Sequence, residues 1–285
     1  MTIPLARTSL TEQQRRMAAA ENLFDLFRSM QALPGAELIE REDLCFHWAS
    51  PLNPMFRSVW RPRLSPETAD RVIEETLAWY AARNTPLIFW FIDDEAQPVD
   101  LAERLQAHGF VPFEVDAPCM VADLQQLDSR LLEQTPEGFR LERVSDAAGL
   151  RAFHQGFVAA YELPDWAGKS WEDATTLLGI GDAPWQMYVG WLDEQPVATN
   201  ILVLGGGVAG LFGVGTLASA RRQGIGSAIT LKPLLDGRDA GMRYGALFSS
   251  ELGKPVYERV GFVDTGATIS RYLWMDPRVS FADLG

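Results

Sequence analysis

Residues Gly213-Val214-Gly215-Thr216-Leu217-Ala218-Ser219-Ala220-Arg221-Arg222-Gln223-Gly224-Ile225-Gly226-Ser227 decide the fold of this chain. The apolar run Val208–Leu217 predicts a strand, and a helical pattern from Ile225 to about Asp239 follows it. Between them lie two arginines and two glycines. The first amides of a helix have no intrahelical acceptor and stand at the positive end of its dipole. Glycines at 224 and 226 remove side chains that would hold a phosphate away, and Arg221 and Arg222 add fixed positive charge. Together with those first-turn amides they make a cradle for a pyrophosphate. A dinucleotide fingerprint fits less well. It needs Gly-x-Gly-x-x-Gly between a strand and a helix, whereas Gly213-Val214-Gly215 falls inside the strand. No Gly-x-x-x-x-Gly-Lys-Ser/Thr stands in the chain for a nucleotide P-loop.

Working outward, strand Tyr244–Ser249, helix Lys254–Val260 and strand Val263–Trp274 follow the loop. Before it, Trp185–Trp191, Pro196–Leu204 and Val208–Leu217 form a meander through the turns Asp193-Glu194-Gln195 and Gly205-Gly206-Gly207. Phe139–Leu141 predicts a strand, Ser145-Asp146 a cap for a helix ending near Tyr161, and Ser170–Leu178 another helix. In the first half, helices are expected over Thr11–Gln31, from Ser65-Pro66 to about Ala82, and over Leu101–Ala107. Strands are expected at Ala36–Ile39, Leu44–Trp48, Pro86–Ile92 and within Phe110–Ala122. The fold class is α/β, a mixed layer of strands and helices. The end of one half also resembles the end of the other. Leu105-Gln106-Ala107-His108-Gly109-Phe110-Val111 parallels Tyr257-Glu258-Arg259-Val260-Gly261-Phe262-Val263. A duplicated domain is the reading, with a boundary near Leu127–Glu137, giving domains 1–130 and 137–285.

The loop and the tyrosine helix together resemble the Gcn5-related N-acetyltransferase (GNAT) superfamily. Its Arg/Gln-x-x-Gly-x-Gly/Ala loop is matched by Arg221, Gly224 and Gly226, and its Tyr-x-x-x-Gly-Phe by Tyr257, Gly261 and Phe262. The two motifs stand in the family's order, and the likeness covers roughly Gly138–Met275. The resemblance implies tandem GNAT-like domains, each a mixed, mostly antiparallel twisted sheet flanked by helices. It also implies acetyl-coenzyme A as co-substrate and direct acetyl transfer to the amine of a small molecule in a ternary complex. Backbone groups of Thr216 and Leu217 would pair with the pantetheine arm, and Arg221, Arg222, Gln223, Gly224, Ile225, Gly226 and Ser227 would hold the pyrophosphate. Tyr257 is the expected general acid, since an ordinary phenol keeps its proton at neutral pH. The base is open. Val208–Leu217 carries no carboxylate where family members often have a glutamate, and Glu162 and Glu251 are the nearest candidates by segment. Tyr161, Trp166, Trp171 and Trp185 lie in segments that shape the family's acceptor site. Transfer of a longer acyl or aminoacyl group, and a non-catalytic acyl-coenzyme A sensor, are the alternatives.

The first half departs from the pattern. Arg63-Leu64-Ser65-Pro66-Glu67 offers no glycine pair, and Leu105 stands where the tyrosine would be, so this half is expected to be a degenerate copy forming a lid or wall. Among 285 residues, 47% are apolar and 22% charged, a composition that builds a core. The formal net charge of −13 argues against a nucleic-acid partner, which selects basic surface. No apolar run reaches the roughly 20 residues of a membrane helix, and Met1–Arg16 lacks the pattern of a signal peptide, so a cytoplasmic protein without a membrane partner is expected. A homodimer is compatible with this reading. Cys45 and Cys119 read as small buried hydrophobes, and His47, His108 and His154 lack metal-ligand spacing, so no metal is expected.

Overall fold

The computed structural model describes residues 9–50, 53–178, 180 and 185–279; the first eight residues, half of the segment examined for a leader, lie outside this range. In chain order the elements are α1 (Glu12–Ser29), β1 (Glu37–Glu40), β2 (Cys45–Trp48), β3 (Ser58–Trp60), α2 (Ala69–Ala81), β4 (Leu87–Ile92), α3 (Leu101–Ala107) and β5 (Val111–Asp123). Then follow β6 (Phe139–Arg143), α4 (Ala147–Tyr161), α5 (Asp165–Leu178), β7 (Trp185–Leu192), β8 (Gln195–Gly205) and β9 (Val208–Thr216). Last come α6 (Ile225–Asp239), β10 (Tyr244–Phe248), α7 (Lys254–Val260) and β11 (Val263–Met275). The architecture is mixed α/β, as the pattern of apolar runs requires.

Local chemistry sets most element ends. The Asp146 carboxylate accepts the Gly149 amide at 2.8 Å and caps α4. α2 differs from expectation: it starts at Ala69 with Thr68 as its cap residue, not at Pro66. The Ser65 carbonyl takes the Thr68 and Ala69 amides (3.1 and 3.0 Å), which makes Pro66–Thr68 a turn ahead of the helix. α5 begins at Asp165, five residues before the expected start, and β3 is a strand too short to show any alternation in sequence.

The chain divides into two compact units, each assembled from three stretches. One holds residues 9–26, Pro118–Pro164 and Thr175–Ala267; the other holds Phe27–Ala117, Asp165–Ala174 and 268–279. In the first, the order across the sheet is β5, β10, β9, β8, β7, β6. Only β9 and β10 are parallel there, and α6 is the crossover between them. Ile225, Ile229, Leu231 and Leu234 of α6 are buried among Leu202, Ala209 and Leu211, each contributing about 1.5–3 kcal/mol by leaving water. The triglycine turn between β8 and β9 is sealed by α1. Asn22, fully buried, donates to the carbonyls of Val203 (3.0 Å) and Gly205 (2.8 Å), and the Asp25 carboxylate accepts the Gly206 amide at 2.6 Å.

The second unit repeats this plan in shorter strands, ordered β1, β2, β3, β4, β11. Here β3 and β4 are the parallel pair and α2 the crossover. The strand after the last helix of each half pairs in the other unit. β5, which follows α3, lies antiparallel to β10, and β11, which follows α7, lies antiparallel to β4. Tyr80 spans the second core and donates to the carbonyls of His47 (2.8 Å) and Ser58 (3.1 Å). Both cysteines are buried and neither forms a disulfide.

His47 is packed among Phe27 and Trp60, with ring centroids 5.3 and 5.2 Å away, and neither ring nitrogen has a hydrogen-bond partner. Burial pushes its pKa down to about 3 from the ordinary 6.5. The unfolded chain therefore takes up a proton below about pH 6.5 that the folded chain refuses, so stability present at neutral pH is lost as pH falls from about 6.5 toward 3. In urea titrations across that window, His47→Leu is expected to flatten the acid limb, by roughly 5 kcal/mol at its low-pH end. An unchanged acid limb in the variant would show that His47 does not drive it.

Candidate active site

The site lies where β9 parts from β10. Their parallel pairing is confined to Ala209↔Gly245 and Gly210↔Ala246, although β9 runs on to Thr216 and β10 to Phe248. On its other side β9 stays paired with β8 as far as Thr216. From Leu211 onward, the edge of β9 that faced β10 has no strand partner among the described residues. Further along, the Phe212 and Phe248 rings meet edge to face at 5.8 Å. Pairing with β8 slips by one residue between Thr199↔Gly215 and Ile201↔Phe212, leaving β9 with an extra residue at Gly213-Val214. Gly213 takes φ +58°, which a side chain would strain, and a methyl there would lie 2.9 Å from Phe157 of α4. The bulge carbonyls are held by hydroxyl groups: Thr199 donates to Gly213 and Tyr161 to Val214, both at 3.1 Å.

Beyond Thr216 the chain turns into the predicted cradle. Leu217 directs its amide to the Val197 carbonyl (2.9 Å) on β8. The Arg221 side chain donates through Nε to the Thr216 carbonyl (3.0 Å). Arg221, Arg222 and Gln223 are exposed, and Arg222 sits in the left-handed region at φ +64°. Gly224, the N-cap of α6, has φ +81°, and a methyl on it would lie 1.9 Å from the Gln134 carbonyl oxygen. Its missing side chain is therefore demanded by the neighbouring backbone. Gly226 is different. A methyl there would meet only Val256 at 3.6 Å and Thr216 Oγ1 at 3.9 Å, ordinary contacts, so nothing in the protein requires glycine. The first backbone bond of α6 at this end runs from Ala228 to the Gly224 carbonyl, which leaves the amides of Ile225, Gly226 and Ser227 ahead of the ladder.

Val256 brings α7 to the same place, and Tyr257 is its neighbour. The phenol ring is buried and packs edge to face with Phe262 at 6.0 Å; burial raises its pKa to about 12. Thus the end of β9, the first turn of α6 and α7 lie side by side, Thr216 and Val256 both bordering the space a side chain at 226 would fill. Other expected residues are scattered. Glu162 and Glu251 are exposed, Trp185 is buried in the first unit, and Trp171 packs on Phe56 in the second. Among the described residues no group of three or more His, Cys, Asp or Glu is placed to hold a metal ion, and no helix is long and apolar enough to cross a membrane.

The corresponding part of the second unit is shut. After β3 the chain stays zipped to the segment beyond β4: Gln97 donates to the Pro62 carbonyl (3.0 Å) and Leu64 to the Gln97 carbonyl (3.1 Å). Arg63 ion-pairs with the buried Asp93 at 2.9 Å and with Glu95 at 3.2 Å. Leu105, aligned with Tyr257 in the duplicated segment, is fully buried. Among its described residues the segment after β3 has neither an open edge nor a glycine pair, and a leucine stands in the place of Tyr257.

No family model matches the sequence, and no curated protein matches it. Solved structures do match over nearly the whole length. A GCN5-related N-acetyltransferase from Kribbella flavida is 21% identical, covering 93% of this chain and 98% of its own, at a TM-score of 0.69. A second, from Sphaerobacter thermophilus, is 14% identical, with 96% and 97% covered and a TM-score of 0.57. A tandem GNAT protein from the clavulanic acid biosynthesis pathway is 12% identical, with 90% and 95% covered and a TM-score of 0.54. The chain has the tandem GNAT fold. At these identities the likeness establishes architecture alone, and both GNAT-like units are accounted for by it.

One support of α6 escaped the sequence reading. Pro233 lies inside α6 and has no amide to give the Ile229 carbonyl four residues earlier. Asn200, buried on β8, supplies the missing donor through Nδ2 at 2.7 Å. The signal was present as an asparagine within an apolar strand and a proline within a helical pattern, but only their contact links them. Asn200→Ala is expected to cost about 1–3 kcal/mol by chemical denaturation. The loss should shrink in a Pro233→Ala background, where residue 233 regains an amide; equal losses in both backgrounds would refute the pairing.

Proposed function

We propose that the first unit is an N-acetyltransferase that moves an acetyl group from acetyl-coenzyme A to the primary amine of a small molecule, with both substrates bound together. The observation that carries this reading is the meeting, within one unit, of an unpaired strand edge, an amide-bearing helix start and a buried phenol. Fold likeness to acetyltransferases supports it as analogy. The residues present fit a thioester coenzyme. Its pantetheine amides would lie along the open edge of β9 toward Thr216, and its pyrophosphate over Ile225, Gly226 and Ser227, with Arg222 exposed beside them. A glycine at 226 that the protein does not itself require fits close approach by that pyrophosphate.

In the reaction a bond forms between the amine nitrogen and the thioester carbonyl carbon, and the carbon–sulfur bond breaks. Tyr257 donates its phenolic proton to the departing sulfur and recovers one from solvent. The surplus proton of the amine leaves to water, since β9 carries no carboxylate to receive it. Holding the phenol near pKa 12 keeps the donor protonated throughout the neutral range. On the acceptor side, the exposed Tyr161 ring, backed by the buried Phe157 at a centroid distance of 4.9 Å, donates to the bulge carbonyl of Val214. That aromatic wall suits an amine with an apolar portion.

Calorimetric titration with acetyl-coenzyme A is expected to give micromolar binding, about −8 kcal/mol. Gly226→Glu should abolish it while leaving the fold intact, because a first-turn carboxylate suits a helix but repels a pyrophosphate. Tyr257→Phe should bind the coenzyme normally and lose roughly 10²-fold in kcat. With the native tyrosine, the rate should show no alkaline fall from this group below about pH 10, because its folded pKa is raised. Failure of the intact, folded protein to bind acetyl-coenzyme A would sink the reading.

A further inference from the structure

Gly253 precedes α7 as its N-cap residue, and nothing in its own backbone explains a glycine. Its φ of −80° and ψ of −30° lie in the right-handed region open to every residue. The reason lies one turn on. A methyl built at position 253 would fall 2.7 Å from Tyr257 Cε2, 3.1 Å from Cζ and 3.2 Å from the hydroxyl oxygen. The first distance is shorter than any real carbon contact, so the ring occupies the space a side chain would use. Helical geometry sends long side chains back over the preceding turn, which aims residue 257 at residue 253. The Tyr257 amide also donates to the Gly253 carbonyl at 3.1 Å, fixing the two residues as one unit.

The ring is held by packing alone. Phe262 bounds it at a centroid distance of 6.0 Å, and among the described residues no protein group hydrogen-bonds the hydroxyl. A tyrosine aimed by a hydrogen bond would tolerate small changes beneath it; one aimed by contact with a bare backbone would not. We propose that Gly253 is a positioning residue that sets where Tyr257 delivers its proton, a role that rests on the acetyl-transfer reading of this site. The added methyl of an alanine would lift the ring off the backbone and move the hydroxyl with it. Displacement of a reacting group by about 1 Å costs on the order of 10²-fold in rate.

The test compares the full-length protein, Gly253→Ala, Tyr257→Phe and the double variant. Acetyl-coenzyme A is the donor, and phenethylamine and spermidine are the acceptor probes. The expected result is a fall of about 10- to 100-fold in kcat for Gly253→Ala, with the acetyl-coenzyme A Kd and KM unchanged. No further loss should appear when Gly253→Ala is added to Tyr257→Phe, because the hydroxyl being aimed is already absent. Unchanged kcat, or a fall matched by an equal rise in Kd, overturns the positioning role. A contact measurement stands apart from activity: the drop in Tm caused by Gly253→Ala should shrink in a Tyr257→Ala background. Equal drops in both backgrounds also overturn the proposal. If the unaltered protein neither binds acetyl-coenzyme A nor acetylates either probe, the acetyl-transfer reading itself falls, whatever the Tm coupling shows.

Discussion

An exposed row of unpaired backbone amides and carbonyls is a liability that folded proteins usually cover. In the first unit it is kept open by construction. β9 and β10 pair at only two residues each, then separate as β9 bulges at Gly213-Val214 under the crossing helix α4. Everything that reads as functional is arranged around that separation. α6 leaves the end of β9 with its first amides unspent, and α7 approaches through Val256, with Tyr257 beside it. The second unit shows what happens without such a purpose. There the segment after β3 bonds back to Gln97, Arg63 pairs with Asp93, and the row closes on itself.

Such an opening works only if its walls are rigid, and α6 is held at several points. Gly224 at its start lies against the Gln134 carbonyl, while the Gln134 side chain is bonded by Arg259 of α7. In its middle, Asn200 replaces the donor that Pro233 lacks. Toward its end, Asp236 accepts from the Tyr188 hydroxyl at 2.8 Å and pairs with Lys232. The Asn200 and Tyr188 contacts satisfy polar groups that burial would otherwise leave costly.

Duplication explains why both units share one plan, a parallel pair with a helical crossover and an antiparallel strand beside it. The exchange of β5 and β11 gives each unit a strand from the other half of the chain. One copy keeps the open edge, the glycines and the tyrosine. The other keeps the scaffold with Leu105 in the core, and its helix α2 opens from a turn containing Pro66 and Glu67.

The sequence by itself determined the elements and the motifs. Apolar periodicity placed α3, α6 and α7 at their observed bounds, and turn residues marked the hairpins at Asp193-Glu194 and Gly206-Gly207. The loop from Arg221 to Ser227 and the helix of Tyr257 were each legible as candidate motifs because each is written in short-range spacing. Tertiary structure alone decided the rest, since those features join residues far apart in the chain. Periodicity has no term for Asn200 meeting Ile229, for Gln134 filling the space at Gly224, or for β5 and β11 changing units. It also assigned the two glycines of the cradle one role. The fold gives them two, because Gly224 faces protein backbone while Gly226 has only ordinary van der Waals neighbours.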